Sequence, residues 1–377
     1  MKKKQNIIKQ QIVLWICCFS FLFGQAQPQF LSEEAEISVL TCGTGEEMYA
    51  LFGHTALRVK DSKQQLDVVY NWGMFDFQTP DFYSRFVKGD LLYYLDVDRF
   101  NDFIHHYTLD NREVIEQKLI LTYDQKIKIW EEINGQLRSD DRFYTYEFIR
   151  NNCTTKVVDV LNKVLEQPLP TDFPSNNHSY RYILNEGLDN HYFEKLGINL
   201  LFGYKTDQSN DLIFLPVKLK DAIAYDKEIL KSEIKLNQVV VTDKNSFNSI
   251  YLLWGMVLLS GIGCFFKKAR WIYFFVTALF SLFLLAVSLY SHHIELHFNV
   301  LVLFFNPVFW LGLIRKSVKI FVFAVVLSFI SLFFMGGELI SILLPLIVLH
   351  FSYILAFFLI KKDENHIYGK NNQFKDV

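Results

Sequence analysis

The chain has 377 residues, a net charge of −2 and a composition that is 51% hydrophobic. These values exclude a disordered chain, leave no basic footprint for nucleic acid, and provide too few cysteines, five in all, for a disulfide scaffold. The length allows two or three domains, and the high apolar content predicts that part of the chain lies in lipid.

The N-terminus has the features of an export signal. Lys2, Lys3 and Lys4 form a positive start, Ile12–Phe23 is an apolar run, and small residues precede residue 27. The run is short for a spanning helix and matches a secretory signal peptide over residues 1–26. An uncleaved anchor is the alternative, and it would leave the topology of the remaining chain unchanged.

Residues 27–246 have the mixed composition of a soluble domain, and their first motif is GHTALRV at residues 53–59. A polar turn follows, and then the largely apolar run Val68–Gly73. This pattern predicts a strand that opens at His54, a turn, and an antiparallel strand that carries Asn71 near its end.

The second motif is NNCTT at residues 151–155. The apolar residues after it recur with a period of 3.6 and predict an amphipathic helix, for which Asn151 or Asn152 is a suitable N-cap. Cys153 therefore falls in the first helical turn. The positive end of the helix dipole favours a thiolate there, and backbone N–H groups at the helix start could hold an oxyanion.

Together these motifs predict a thiol active site. Cys153 is the candidate nucleophile and His54 the candidate base, as in papain-like catalysis, with Asn71 as the candidate that orients the imidazole. The alternatives are that Cys153 is a small buried hydrophobic residue, or that it forms a disulfide with Cys42. No spacing of His, Cys and acidic residues indicates a metal site, and no cofactor is expected.

Beyond residue 246 the composition becomes strongly apolar. Five stretches are long enough, or nearly so, to cross a bilayer: Ile250–Phe266, Trp271–Tyr290, Phe298–Ile314, Ile320–Met335 and Leu339–Ile360. Eight basic residues lie in the loops on one side of these stretches and none in the loops on the other, which places the eight in the cytoplasm. The predicted organisation is a signal peptide, an exported domain over 27–246, a five-span domain over 247–360 and a cytoplasmic tail over 361–377.

The motifs resemble those of a known family. GHTALRV at 53–59, VYNWG at 69–73 and NNCTT at 151–155 are similar to motifs of the DUF4105 proteins, the Lnb-type lipoprotein N-acyltransferases of Bacteroidota. The resemblance extends from about residue 33 into the membrane region. It implies an α+β fold, with a permuted papain-like domain of the NlpC/P60 type followed by a helical bundle of five spans. It also assigns the catalytic pair to His54 and Cys153.

The resemblance implies an acyltransferase of the bacterial inner membrane, with its catalytic domain in the periplasm and its C-terminus in the cytoplasm. Cys153 would take a fatty acyl chain as a thioester and pass it to the α-amine of a diacylated lipoprotein. The expected partners are that lipoprotein, a membrane lipid as acyl donor, and the bilayer. A cell-wall amidase or lipid-ester hydrolase of the same fold, and a binding module without catalysis, remain the alternatives.

Four further residues are candidates for substrate binding. His293 and Glu295 belong to an outer loop that would face the exported domain, where they could bind a lipid head group. Asn299 and Asn306 are similar to the Asn and Asn-Pro positions of a family span, and polar groups inside a membrane are costly unless paired. An ordinary polar loop and contacts between helices are the alternatives.

Overall fold

The computed structural model of the protein describes residues 30–189, 191–240 and 247–373. The predicted signal peptide over 1–26 and the last four residues of the predicted cytoplasmic tail lie outside the described residues. The described part divides into a mixed α+β portion up to residue 240 and a helical portion from residue 247 onward.

A seven-stranded antiparallel sheet organises the first portion. Its strands are β1 (Glu36–Cys42), β2 (His54–Asp61), β3 (Leu66–Met74), β4 (Leu92–Arg99), β5 (Val114–Leu119), β6 (Phe143–Thr145) and β7 (Leu230–Lys235). Their spatial order is β6-β4-β3-β2-β1-β5-β7, which places β3, β2 and β1 at the centre. The predicted strand at His54 and the antiparallel strand that carries Asn71 are both confirmed.

Helices cover both faces of this sheet. They are α1 (Phe82–Lys88), α2 (Phe100–Leu109), α3 (Tyr123–Arg138), α4 (Cys153–Asn162), α5 (Tyr180–Gly187), α6 (Tyr192–Leu201) and α7 (Pro216–Tyr225), with 3-10 turns at Met48–Ala50, Asp140–Arg142 and Tyr204–Asp207. Trp130, Val157 and Leu219 bring α3, α4 and α7 against one face, and Phe103 brings α2 against the other. Residues 55–59 of β2 are consequently all buried, although side chains alternate between the two faces.

The second portion consists almost entirely of apolar helices. They are α8 (Ile250–Ile262), α9 (Lys267–Tyr290), α10 (Leu301–Phe304), α11 (Val308–Ile314), α12 (Val318–Phe333) and α13 (Gly337–Gln373), with 3-10 turns at Gly263–Phe265 and Ile294–Leu296. Three segments within the described residues are long and apolar enough to cross a membrane: Lys267–Tyr290, Ile294–Ile314 and Gly337–Leu359. The apolar helices at Ile250–Phe265 and Val318–Phe333 are shorter, so length and composition support three of the five predicted spans.

The two portions meet at the connection between α9 and α10, residues 291–299, which we call the membrane seam. The backbone N–H of His292 donates to the Lys88 carbonyl at the end of α1, at 2.7 Å. The backbone N–H of Gly203, just after α6, donates to the Glu295 carbonyl at 2.7 Å. The α+β portion is therefore held directly against the end of a membrane-length helix.

Candidate active site

His54 and Asn71 lie side by side near the centre of the sheet. His54 Nε2 is 3.2 Å from Asn71 Oδ1, and Asn71 Nδ2 donates to Asp98 Oδ2 at 2.8 Å. Because the ionised Asp98 carboxylate only accepts hydrogen bonds, it draws the Asn71 NH₂ group and leaves the amide oxygen for His54. That oxygen accepts a hydrogen bond from a protonated Nε2. The neutral imidazole then keeps Nδ1 as its basic nitrogen.

Cys153 is the first residue of α4, as the sequence predicts. Asn152 is the N-cap, and its Oδ1 accepts from the backbone N–H groups of Thr154 and Thr155 at 2.9 and 3.0 Å. Two of the N–H groups expected to hold an oxyanion are therefore already occupied. The N–H of Cys153 itself makes no hydrogen bond within the described part of the chain and remains the backbone donor beside the thiol.

Gly73, at the end of β3, marks the point where the functional groups meet. Its φ of +96° lies in the region that favours glycine. A methyl group built on Gly73 would lie 3.5 Å from Cys153 Cβ, 3.8 Å from Tyr144 Oη and 4.0 Å from His54 Cε1. The missing side chain thus leaves a small space that the thiol, the imidazole and a tyrosine hydroxyl all border.

The surroundings of Cys153 favour its thiolate. Burial raises the pKa of the Cys153 thiol, but the charge of His54 and a hydrogen bond with its ring lower it, as do the Thr55 backbone and the Thr154 hydroxyl. The net result is a pKa below the usual range for cysteine. The Thr55 and Thr154 hydroxyls are also 2.9 Å apart, which joins the strand of the imidazole to the helix of the thiol.

Cys42, the other cysteine of the α+β portion, has the opposite character. It is paired in register with His54 across β1 and β2, yet Cys42 and Cys153 are both free thiols in the structure. Burial raises the pKa of Cys42 to about 12. The structure therefore does not contain the alternative Cys42–Cys153 disulfide.

This contrast predicts selective alkylation. Because the thiolate is the reactive form, iodoacetamide at pH 7 should label Cys153 at least roughly tenfold faster than Cys42 in the folded protein. Lowering the pH protonates Cys153 and should slow its labelling, whereas Cys42 should resist labelling until the pH approaches its pKa of about 12. Peptide mass spectrometry measures both sites. The variant Cys153→Ala is the control, and faster labelling of Cys42 would contradict the assignment.

A cleft of about 550 Å³ opens on the imidazole side of the site. His54, Asn71 and Asp98 line its polar part. Tyr49 and Phe77, which are 63% and 59% exposed, stand at its edge. No group of three or more potential metal ligands occurs among the described residues. The cleft therefore combines a polar end beside the imidazole with an aromatic rim suited to an amphipathic substrate.

The other predicted binding residues lie at or below the membrane seam. His293 Nε2 is 2.9 Å from the Phe86 carbonyl, and Glu295 Oε1 accepts from the Ile149 N–H at 3.0 Å. Asn299 Nδ2 donates to the Leu200 and Leu201 carbonyls, and Asn306 Nδ2 donates to the Leu303 and Ala324 carbonyls. His293, Glu295 and Asn299 thus join the two portions of the protein. Asn306 joins α10 to α12, and none of its hydrogen bonds involves Cys153.

Sequence reasoning missed Asp98 and Tyr144. Asp98 belongs to the alternating acidic pair of β4, Asp96 and Asp98, which is an unusual choice for a strand and could have marked it. Tyr144 is 8% exposed and lies on the short strand β6. Its position beside the thiol depends on pairing with β4, and no local pattern reveals that pairing.

Comparison with known proteins gives a family match for the N-terminal part of the chain. Residues 23–186 match the family model described as the Lnb N-terminal periplasmic domain. This stretch contains His54, Asn71 and Cys153. The match and the apolar helices together suggest a membrane protein whose N-terminal part is similar to a periplasmic domain of the Lnb type. None of the curated proteins and none of the solved structures gave a match.

Proposed function

We propose that this protein is a lipoprotein N-acyltransferase that works through a thioester on Cys153. The observation that carries the proposal is the convergence of Cys153, His54 and Asn71 at a helix N-terminus in a domain held against membrane-length helices. A thiol with a lowered pKa beside an oriented imidazole is the arrangement used for nucleophilic acyl transfer. The Lnb-type match over residues 23–186 supports the same reading.

In the first half-reaction His54 Nδ1 accepts the Cys153 thiol proton, and the thiolate attacks the ester carbonyl of a lipid. The carbon–oxygen bond then breaks, the imidazolium returns its proton to the departing alkoxide, and an acyl thioester remains on Cys153. Asn71 keeps the imidazole in the tautomer that this step requires, because its oxygen accepts from Nε2. One difficult transfer is thereby divided into two easier steps.

In the second half-reaction the free α-amine of a diacylglyceryl-cysteine attacks the thioester carbonyl. His54 takes a proton from the amine, the carbon–sulfur bond breaks, and Cys153 leaves as the thiolate that the same site stabilises. The products are an amide-linked acyl chain and the restored enzyme. Water competes with the amine for the thioester, so a site against the membrane has a chemical advantage.

The membrane topology and the fold of the α+β portion form part of the same proposal. We propose that all five apolar segments cross the inner membrane, with residues 27–246 in the periplasm, the tail 361–377 in the cytoplasm and the eight basic loop residues facing inward. We also propose that the α+β portion is a permuted papain-like domain. Its helix-borne cysteine and its strand-borne histidine have the roles found in that group, where geometry rather than sequence order defines the site.

The test is the state of lipoprotein N-termini in cells. A strain that lacks the gene is complemented with the wild type or with Cys153→Ala, and N-terminal peptides of its lipoproteins are analysed by mass spectrometry. We expect triacylated peptides with the wild type and only diacylated peptides with the variant. Full N-acylation with Cys153→Ala would overturn the proposal. Altered cell-wall peptides with unchanged lipoproteins would instead indicate a cell-wall amidase.

A further inference from the structure

Two small pockets lie against the membrane seam and share no lining residue with the large cleft. The first, of about 160 Å³, has an apolar surface and lies between the α+β portion and α9. Phe148 and Tyr146 form its wall above, and Phe283 and Val287 of α9 form its wall below. Phe283 and Val287 lie within the last two turns of α9, so this pocket borders the end of a membrane-length helix.

The second pocket, of about 140 Å³, has a mixed lining of polar and apolar side chains and shares a wall with the first. Glu295 lines both pockets, and Arg150 and Lys205 line this second one. Neither cation forms an ion pair within the described residues. Glu295 is 1% exposed, and its Oε2 has no hydrogen-bond partner in the described structure. A buried carboxylate oxygen without a partner is costly, so a donor from a ligand would satisfy it.

The pair of pockets is also close to the reacting thiol. Arg150 lies three residues before Cys153 in the segment that leads into α4. Tyr146, in the wall of the apolar pocket, packs against the same hydrophobic core cluster as Cys153. An ester carbonyl at the thiol could therefore have its chain and its head group in the two adjoining pockets.

We infer that the acyl donor is a glycerophospholipid whose acyl chain enters the apolar pocket and whose phosphate contacts Arg150 and Lys205. A donor group of the head group, a hydroxyl or an ammonium, would complete the hydrogen bonding of Glu295 Oε2. This inference rests on the proposed function and specifies its first substrate. Neutral diacylglycerol, including the glyceride of a lipoprotein, lacks the phosphate that this pair of cations fits.

The first experiment compares donors. The purified full chain in phospholipid-free detergent micelles is given phosphatidylethanolamine, phosphatidylglycerol or diacylglycerol with identical chains, and the acyl thioester on Cys153 is followed by mass spectrometry. Both phospholipids should acylate Cys153 at least about tenfold faster than diacylglycerol, and Arg150→Gln with Lys205→Gln should slow both phospholipid reactions until the preference is lost. The exposed Lys227→Gln is the matched control.

The second experiment probes the apolar pocket. Val287→Trp should shift the preferred donor toward shorter acyl chains, and Val287→Ala should shift it toward longer ones, because the two changes fill and enlarge the same space. Leu285→Trp, on an exposed face of α9, is the matched control and should leave chain preference unchanged.

The outcomes distinguish failure of the phospholipid inference from failure of the proposed function. Equal use of diacylglycerol and phospholipid, or unchanged chain preference in both Val287 variants, overturns the phospholipid inference while leaving thioester catalysis intact. No thioester on the wild type with any of the three donors overturns the proposed function as well.

A second inference comes from a different observation, the hydroxyl of Tyr144. This hydroxyl is buried, and the Gly73 N–H is its neighbour on the backbone. Within the described residues the hydroxyl has no hydrogen-bond partner. It borders the same small space beside Gly73 as Cys153 and His54. Burial raises the pKa of Tyr144 well above its usual value, so the hydroxyl keeps its proton at all physiological pH values.

We propose that Tyr144 is a catalytic residue that donates a hydrogen bond to the oxyanion of the tetrahedral intermediates, together with the Cys153 N–H. Since Asn152 occupies the next two N–H groups, the site needs a second donor from elsewhere, and Tyr144 Oη is placed to provide it. Such a donor acts only once negative charge develops on the carbonyl oxygen.

Tyr144→Phe should lower kcat by about 10²- to 10³-fold with little change in KM. Its iodoacetamide labelling at Cys153 should remain at the wild-type rate, because alkylation forms no oxyanion. Tyr93→Phe, a neighbouring buried tyrosine, is the matched control. Activity of Tyr144→Phe within about threefold of the wild type, or a parallel fall in labelling, overturns the assignment.

Discussion

Purified Cys153→Ala is expected to lose acyl transfer by about 10⁴-fold or more, because no other group can form the thioester. His54→Ala should fall by a comparable factor, since the thiol would lose both its proton acceptor and the neighbouring charge that lowers its pKa. Cys153 and His54 act as one unit. The double variant should therefore be no slower than Cys153→Ala alone. Single-turnover acylation from a phospholipid measures all three rates.

The matched control is Cys42→Ala, which removes a buried thiol of raised pKa from the strand opposite His54. It should retain acylation within a small factor of the wild type. If the two factors by which Cys153→Ala and His54→Ala lower the acylation rate multiply in the double variant, the two residues act independently. The proposed proton transfer from Cys153 to His54 would then be wrong.

Gly203→Ala is expected to disrupt the membrane seam. A Cβ at this position would lie 1.9 Å from the His297 carbonyl oxygen and 3.0 Å from the Asn299 backbone nitrogen. Both are backbone atoms, so no side chain can move aside, and the strain should cost about 3 kcal/mol. We expect a lower thermal unfolding midpoint and faster proteolysis between α6 and α10, measured on the full chain in detergent.

Gly197→Ala provides the comparison within the same region. Gly197 lies in α6, and nothing stands within 4 Å of a Cβ placed there. The change should be neutral or stabilising by up to about 1 kcal/mol, because alanine favours the helix. Equal unfolding midpoints for the two variants would show that the close approach at Gly203 does not hold the seam together.

The sequence predicts the parts of the site that depend on local patterns. His54 opens a strand, Asn71 lies on the next strand, and Cys153 begins a helix capped by Asn152, because alternation, turn residues and capping chemistry act over a few positions. The approach of His54 to Asn71 also follows from hairpin pairing between β2 and β3, whereas the position of Cys153 depends on the packing of α4 against β2. The catalytic roles themselves stay predictions.

The features that sequence reasoning missed depend on distant parts of the chain. Tyr144 reaches the thiol because β6 pairs with β4 at the edge of the sheet, and Asp98 reaches Asn71 diagonally across the β3–β4 pairing, in which Asn71 stands opposite Asp96. The sequence also did not predict a helix break inside one span, although that span lies within the long apolar segment Ile294–Ile314. The predicted span Phe298–Ile314 is divided at Pro307 between α10 and α11, since proline cannot donate within a helix.

The short connection between α9 and α10 has a consequence for which lipoproteins can react. Because α1 and the end of α6 are both hydrogen-bonded to this connection, the domain that carries the thiol is fixed against the end of α9. The proposed enzyme would then distinguish lipoproteins by the distance of their reacting amine from the membrane surface. It would modify a lipoprotein whose lipidated cysteine is still anchored in the outer leaflet, and it would spare one that a carrier has already lifted away.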